Sequence, residues 1–202
     1  MKQEIIILLV IYFSCNCNLS SQTKYQDAIY LNNQAMKIYA RNLSNTDSLQ
    51  RALSLINSCI SLNDGIRNKK SYSFYLNRYF IERRLKKYDN ALTTCDTVLQ
   101  IHKEDFRANM YKGFLYEDMD SKDSSIFYYK KSLRLIDNPK SFKASEIVKD
   151  REKLIVIGLL NDTLEYKKHF NSFITKYDTS KFFNYYYTEF KNFNRKNYLS
   201  NY

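Results

Sequence analysis

Proline and glycine are scarce in this chain of 202 residues, which has one proline and three glycines. With so few helix breakers, the sequence predicts a mostly helical protein, although its many β-branched and aromatic residues weaken helix propensity. The chain also has no glycine-rich phosphate loop and no nucleophile elbow, since both need glycine at fixed positions. Its length allows one domain with a real core.

Histidine is rare as well, and His102 and His169 lie in different helical contexts without a nucleophile or ligand pattern. A zinc site needs Cys and His clustered at fixed spacing. The acidic group Glu117, Asp118 and Asp120 lacks the glycine and the regular alternation of oxygen ligands that a calcium loop needs. We therefore expect a solvated acidic face, no metal, no cofactor and no enzymatic activity.

The formal net charge is +11, which favours nucleic acid, an anionic membrane surface or an acidic protein as partner. The basic residues concentrate in Arg67–Lys87, which holds eight of them and only Glu82 with the opposite charge. An exposed face of this kind would attract an acidic partner. The same charges could equally do no more than keep a surface soluble.

The N-terminus predicts export. The apolar run from Ile5 to Phe13 is too short to span a bilayer, which needs about 20 residues. It has the length of a secretory h-region. A buried first helix is the alternative, but this run has no amphipathic period.

The residues Phe13, Ser14 and Cys15 resemble the lipobox of bacterial lipoproteins, in which the cysteine is lipidated and becomes the new N-terminus. Phe13 and the preceding Tyr12 depart from the usual lipobox residues. The resemblance implies a signal peptide over residues 1–14 and a lipidated Cys15 with its tether over 15–23. It places the protein in the bacterial envelope, lipid-anchored to a membrane and facing the periplasm, where we expect no nucleic-acid partner.

A segment of about 34 residues repeats along the chain. Phe106–Pro139 aligns with Tyr72–Asp105 without a gap, and Asn33–Ile66 joins them after a five-residue insertion, Arg67–Ser71. Each copy predicts a helix, a short polar turn with Asp or Ser able to cap the next helix, and that second helix. The aligned sets include Ala40, Tyr79 and Gly113; Ala52, Ala91 and Ser125; Cys95 and Tyr129; and Cys59, Val98 and Ser132.

This pattern resembles the tetratricopeptide repeat (TPR) family over Asn33–Pro139, about half of the chain. The third copy has residues in that family's characteristic slots at Gly113, Tyr116, Ser125, Tyr129, Ser132, Leu133 and Leu135. The family's proline after the second helix is replaced by Asp64 and Lys103 in the first two copies. The resemblance implies an all-α fold, a right-handed superhelix of antiparallel helix pairs (an α-solenoid) with repeats at 33–66, 72–105 and 106–139.

Residues 140–202 are predicted to form a degenerate fourth pair, Phe142–Leu160 and Asp162–Tyr177, followed by a C-terminal capping helix, Lys181–Phe193, and a frayed polar tail, Asn194–Tyr202. The aromatic segment Phe182–Phe193 either caps the fourth pair or forms a contact surface for a partner or a membrane interface.

Gly113 is predicted to lie where the two helices of its pair approach most closely, because glycine costs about 1 kcal/mol in a helix relative to alanine. Ala40 is expected in the same slot of the first copy. Tyr79 fills it in the second copy, so we expect the helices there to be splayed or shifted. Cys59 and Cys95 are predicted as buried free thiols.

In TPR proteins the first helix of each pair lines a concave face that binds peptides or helices. The resemblance therefore implies a protein or peptide partner, an acidic one being favoured by the charge. It implies contacts at Lys37, Arg41, Asn77, Phe80, Arg84, Arg107, Met110 and Phe114. Lys37, Asn77 and Arg107 resemble part of the family's carboxylate clamp, but Arg41 stands where the family has asparagine, so ordinary solvated charge is the alternative.

The leading hypothesis is a non-enzymatic, lipid-anchored TPR adaptor or scaffold that binds a protein through its concave face. The alternative is a structural envelope component whose basic, aromatic surface binds an anionic polymer or lipid headgroups. A cytosolic helical module that binds RNA or protein, with an unprocessed N-terminus, is the third hypothesis.

Overall fold

The protein is all-α over the residues that its computed structural model describes, namely 23–63, 71–138, 145–178 and 183–201. The signal peptide, Cys15 and Pro139 lie outside these ranges. The helices are α1 (residues 23–41), α2 (Thr46–Leu62), α3 (Tyr72–Arg84), α4 (Tyr88–Ile101), α5 (Phe106–Asp118), α6 (Lys122–Asp137), α7 (Glu146–Leu159), α8 (Thr163–Tyr177), α9 (Phe183–Lys191) and α10 (Arg195–Asn201). Within the described ranges, none of these helices has the length and apolarity to cross a membrane. The predicted all-α class is confirmed.

The helices belong to two compact units, which divide within α4 between Thr94 and Cys95. Unit 1 contains α1, α2, α3 and the start of α4. Unit 2 contains the end of α4 and α5 to α10. In unit 1, α2 packs against α3, and in unit 2 each of the pairs α5–α6, α6–α7, α7–α8 and α8–α9 is in contact. In each of these pairs, helices adjacent in sequence are therefore adjacent in space.

The turns inside three helix pairs share one backbone conformation. The second residue of each three-residue turn has a positive φ: Lys86 (58°), Asp120 (56°) and Asn161 (59°). At the first two of these turns the next N–H donates to a carbonyl five residues earlier, from Lys87 to Glu82 at 2.9 Å and from Ser121 to Tyr116 at 2.7 Å. This is the Schellman arrangement, which ends the first helix and reverses the chain. The α1–α2 turn, residues 42–45, is one residue longer and has no positive φ.

The capping prediction is wrong at two turns. Asn45, and neither Ser44 nor Asp47, caps α2, because its Oδ1 accepts the Ser48 N–H at 2.8 Å. Ser121 precedes α6 but makes no side-chain cap. The backbone conformation of the turn, rather than a hydroxyl cap, therefore connects α5 to α6.

Gly113 lies against the ring of Tyr129 on the paired helix, where a Cβ atom would overlap the ring. Tyr129 is fully buried. Its ring packs on Phe114 with centroids 6.1 Å apart, and its hydroxyl donates to Glu117 Oε2 at 2.8 Å. Because both ends of Tyr129 are held, the ring cannot yield, and the predicted close-packing role of Gly113 is confirmed.

The second copy exchanges the sizes of the two residues. Tyr79 stands at the Gly113 position, and Cys95 stands at the Tyr129 position. Each is buried in its own unit. The splaying of this pair stays a prediction.

The first copy follows the predicted register in its second helix but not in its first. Ala52 of α2 is buried like its aligned partners Ala91 and Ser125. Ala40, in contrast, is exposed, whereas two other alanines of α1, Ala28 and Ala35, are fully buried. The prediction that Ala40 shares the Gly113 slot is wrong, because Ala40 lies on the exposed side of α1, whereas its neighbours Ile38 and Tyr39 pack against the core.

The predicted frayed tail contains a helix, α10. The side chain of Asn194 caps it by accepting the Asn197 N–H at 2.9 Å. Arg195 Nε donates to the Leu159 carbonyl at 2.7 Å and so ties α10 to the end of α7. Just before α10, the ring of Phe193 fills the space beside Gly158. These tertiary contacts order a segment whose own composition is polar.

Cys59 and Cys95 are buried free thiols, as predicted. Burial raises the pKa of the Cys59 thiol to about 12, although a backbone hydrogen bond with Asn32 acts in the opposite direction. At neutral pH this thiol is therefore protonated, and it behaves as a small apolar side chain.

Replacing Gly113 by alanine tests the contact between α5 and α6, because the sign of the change in the free energy of unfolding differs between two explanations. Helix propensity alone predicts that Gly113→Ala stabilises the protein by about 1 kcal/mol. The overlap with Tyr129 predicts the opposite, a loss of about 1–3 kcal/mol in the free energy of unfolding, measured by urea titration. In a Tyr129→Ala background the same change should be neutral or stabilising. Destabilisation of equal size in both backgrounds would contradict the contact.

Candidate protein-binding surfaces

In unit 1, α1 and α3 lie side by side and run in the same direction. The rings of Tyr25 and Phe74 are 6.4 Å apart, and further along both helices the Asn77 amide donates to Asn32 Oδ1 at 2.7 Å. Asn77 was predicted as one of the ligand contacts. Its Nδ2 is instead used to hold the two first helices together.

Lys37 and Arg41 lie on the opposite side of α1. A helix advances about 100° per residue, so Lys37 is about 140° and Arg41 about 180° around α1 from Asn32. Both are exposed. The structure therefore does not bring Lys37 to the side of α1 that contacts Asn77, and the predicted clamp does not form within unit 1. The shifted register of α1 is the reason.

The repeat pattern does not reveal Tyr30, whose side chain is 63% exposed. Tyr30 precedes Lys37 by seven residues and Arg41 by eleven, so all three share one stripe of α1. We call Tyr30, Lys37 and Arg41 the α1 stripe. An aromatic ring on the same helix face as two cations provides both apolar contact and charge, as binding surfaces commonly do. The spacing of seven from Lys37 is the signal that could have revealed it.

Phe80 and Arg84 of α3 are partly exposed and lie one helical turn apart. The ring of Phe80 packs edge-on against Tyr79, with centroids 5.2 Å apart. Both residues have further contacts within the protein. Only part of each side chain is therefore exposed to a ligand.

The basic segment Arg67–Lys87 presents less charge than its sequence predicts. Glu82 is buried, pairs with Arg78 Nε at 2.6 Å and accepts the Thr94 hydroxyl at 2.7 Å. Arg83 is buried as well. The charge of Arg78, whose side chain is 29% exposed, is thus paired, and burial removes Arg83 from the surface. Residues 67–70 lie outside the described ranges.

In unit 2, Arg107 already binds a carboxylate of the protein. Its Nη2 lies 3.4 Å from Oε1 of Glu152 on α7, a side chain only 7% exposed. Arg151 also pairs with Glu152 at 3.2 Å and with Glu189 of α9 at 3.0 Å. Burial alone would lower the pKa of Arg151, but the charges of Glu189 and Glu152 outweigh it and raise the pKa above its ordinary value. This network joins α5, α7 and α9.

Met110 and Phe114, two predicted ligand contacts, are buried. The ring of Phe114 packs against Tyr111, Tyr129 and Tyr198, with centroids 5.8, 6.1 and 6.3 Å away. Tyr198 belongs to α10, the segment predicted as a frayed tail. In the observed arrangement, the predicted contact face of α5 is covered by the protein itself.

A second aromatic group lies on α5 and α6. Tyr116 and Tyr128 stack with centroids 5.3 Å apart, and Lys112 lies over the Tyr128 ring at 4.8 Å while pairing with Asp96 at 2.7 Å. Burial lowers the pKa of Lys112, but the hydrogen bonds to Asp96 and Tyr128 raise it by more than burial lowers it. The pKa therefore lies above its ordinary value, and the amine stays charged. The neighbouring Phe127 is 54% exposed.

A cleft of about 340 Å³ lies near the start of α10. It is lined by Gly158, Asn161, Asp162, Thr163, Tyr166, Phe193, Asn194, Arg195 and Lys196. In the part of the chain that the structure describes, His, Cys, Asp and Glu do not form any group of three or more that could hold a metal ion.

No protein-family model matches the sequence, and no curated protein matches it either. Among solved structures, the chain is similar to MamA, residues 41 to the end, from Desulfovibrio magneticus RS-1. The two are 17% identical with a TM-score of 0.46, over 80% of this chain and 77% of that chain. A similarity at this level carries no inference about function, which has to come from this protein's own residues.

Two arginines of the buried network should respond differently to removal. Arg151→Ala removes the cation that pairs with the partly buried Glu189 and leaves the buried Glu152 with its longer contact to Arg107, so we expect a loss of about 2–3 kcal/mol in the free energy of unfolding. Arg107→Ala should cost less than about 1 kcal/mol, because Glu152 keeps Arg151. Urea titration measures both, with Lys149→Ala as a surface control on α7. Equal losses for the two arginines would show that Arg107 is as structural as Arg151.

Proposed function

We propose that the protein is a non-enzymatic interaction module of TPR type, an adaptor or scaffold that binds another protein through the α1 stripe. The observation that carries this proposal is the exposure of Tyr30 on one helix face with Lys37 and Arg41. TPR-like pairs provide a rigid support for such a stripe, because each helix is held by its partner. The two cations favour an acidic segment of the partner.

Phe80 and Arg84 of α3 form a smaller group of candidate contacts. Their partial exposure supports contact with the same partner or a neighbouring segment of it. The remaining predicted contacts, Asn77, Arg107, Met110 and Phe114, are bonded or buried within the protein. We therefore assign the first contact with a partner to the α1 stripe rather than to them.

We further propose that Cys15 is lipidated and that the anchor holds the module at a membrane of the bacterial envelope, facing the periplasm. The lipobox-like Phe13, Ser14 and Cys15 after an apolar run support this proposal. Attachment at the N-terminus would restrict the module to partners near the membrane. The alternative, binding of an anionic polymer or lipid headgroups, is supported by the net charge of +11.

Site-specific photo-crosslinking in intact cells tests the protein-binding proposal. A photoreactive phenylalanine at position 30 should capture one defined protein, whereas the same group at Phe127, comparably exposed on α6, should not. Lys37→Glu with Arg41→Glu should abolish the capture, because the charge complementarity is reversed. The matched pair Lys24→Glu with Arg51→Glu changes exposed residues of unit 1 by the same total charge and should leave it intact.

Two results would contradict this proposal. Capture of the same proteins from positions 30 and 127 would mean that the α1 stripe is not selective. Equal loss with both double variants would mean that total charge, rather than the stripe, attracts the partner. In that case salt-dependent binding to anionic vesicles or polysaccharide would favour the alternative.

The proposed anchor predicts the mass of the mature protein. Intact mass spectrometry of protein extracted from membranes should give a chain that begins at Cys15 and carries acyl groups. Cys15→Ser should release the protein from the membrane fraction, and Cys17→Ser is the matched control. A mature chain that retains Met1, or membrane association unchanged by Cys15→Ser, would contradict the proposal.

A further inference from the structure

The C-terminal helix α10 covers the face of α5 that the repeat pattern marks for ligand contact. Tyr198 packs on Phe114 with centroids 6.3 Å apart, and Arg195 Nη1 pairs with Glu117 Oε1 one helical turn further along α5. A second bond from Arg195 reaches the Leu159 carbonyl of α7 at 2.7 Å. A short helix thus lies on this part of α5 as a peptide ligand would.

The contacts of α10 come from one side of the helix. Arg195, Tyr198 and Leu199 are partly buried, whereas Lys196, Asn197 and Ser200 are exposed. The seven residues of α10 are too few to form a stable helix in water by themselves. Its helical state therefore depends on the surface beneath it, as is typical of a helix that folds on binding.

The surface beneath α10 is held by other parts of unit 2. Glu117 of α5 accepts the Tyr129 hydroxyl of α6 at 2.8 Å, and Phe114 of α5 packs on the Tyr129 ring with centroids 6.1 Å apart. These contacts join α5 to α6 and do not involve α10. The site for Arg195 and Tyr198 would therefore persist if α10 moved away.

The segment before α10 has an anchor of its own. The ring of Phe193 lies beside Gly158 and 5.5 Å from the Tyr166 ring, and Tyr166 donates its hydroxyl to the Phe190 carbonyl at 2.9 Å. Phe193 can therefore stay in place while the chain turns at Asn194. Release of α10 needs a change of backbone at that point and no unfolding of α8 or α9.

We propose that α10 is a displaceable internal ligand, and that the α5 face binds a partner helix carrying an aromatic residue three positions after an arginine. The arginine would pair with Glu117, and the aromatic residue would take the place of Tyr198 on Phe114. This inference rests on the proposed function as a protein-binding module and adds a second site under the control of α10. The preference for a basic helix contrasts with the α1 stripe, whose cations favour an acidic segment.

A synthetic peptide of residues 193–202 with a fluorescent label is the probe, and the full-length chain is the receptor. The native chain should bind it weakly, because its own α10 occupies the site. The Tyr198→Ala chain should bind it about tenfold more tightly, since apparent affinity rises with the fraction of chains in which the site is open. Arg195→Glu should act in the same direction. Fluorescence anisotropy measures the dissociation constants, and circular dichroism verifies that each chain is folded.

Three controls assign the binding to the α5 face. Lys196→Ala changes an exposed residue of α10 and should leave the affinity of the native chain unchanged. Glu117→Gln, added to the Tyr198→Ala chain, should weaken binding about threefold or more, because the arginine loses its charged partner. A probe with alanine in place of Tyr198 should not bind. Equal affinity of the native, Tyr198→Ala and Arg195→Glu chains, or no binding to any of them when folded, would overturn the inference.

The peptide assay and the crosslinking experiment test different proposals, so a negative result in one does not decide the other. A defined partner captured at position 30, together with no effect of Tyr198→Ala on the probe, would leave the protein-binding function standing without the α10 mechanism. Tighter binding of the probe to the Tyr198→Ala chain, without a partner at position 30, would support the second site and remove the α1 stripe from the function.

Discussion

The contact between Gly113 and Tyr129 is the constraint on which much of unit 2 depends. Because position 113 has no side chain, the Tyr129 ring fits between α5 and α6. The hydroxyl of Tyr129 then holds Glu117, and Glu117 in turn pairs with Arg195 at the start of α10. The close approach of α5 and α6 thus positions the Glu117 carboxylate, and this carboxylate in turn positions α10. Tyr198 of α10 then covers Phe114.

Some cations of this protein are paired with carboxylates and others are exposed, and the net charge does not distinguish the two. In unit 2, Arg107, Arg151 and Arg195 each contact a glutamate, so these cations contribute to the packing of helices. In unit 1, Lys37 and Arg41 remain exposed on one stripe. A net charge of +11 therefore says little about where a partner would find positive charge, because pairs that are partly buried are inaccessible to it.

The candidate site was predictable only in part. The repeat pattern named Lys37 and Arg41 as candidate contacts, and both are exposed in the structure. It did not reveal Tyr30, because the register of α1 was taken from the other copies. It also assigned Phe114 to an open face, although Tyr198, far along the chain, lies against it. Such contacts leave no local pattern in a sequence.

The sequence by itself determined the helical class, the pairing of neighbouring helices and the buried positions of the second helices, such as Ala52 and Ser125. These result from helix periodicity and from small residues at close contacts, which act over short distances along the chain. Only the tertiary structure decided the register of α1, the order of α10 and the burial of Phe114. These depend on packing between distant segments, where the partner of a residue is set by the path of the whole chain.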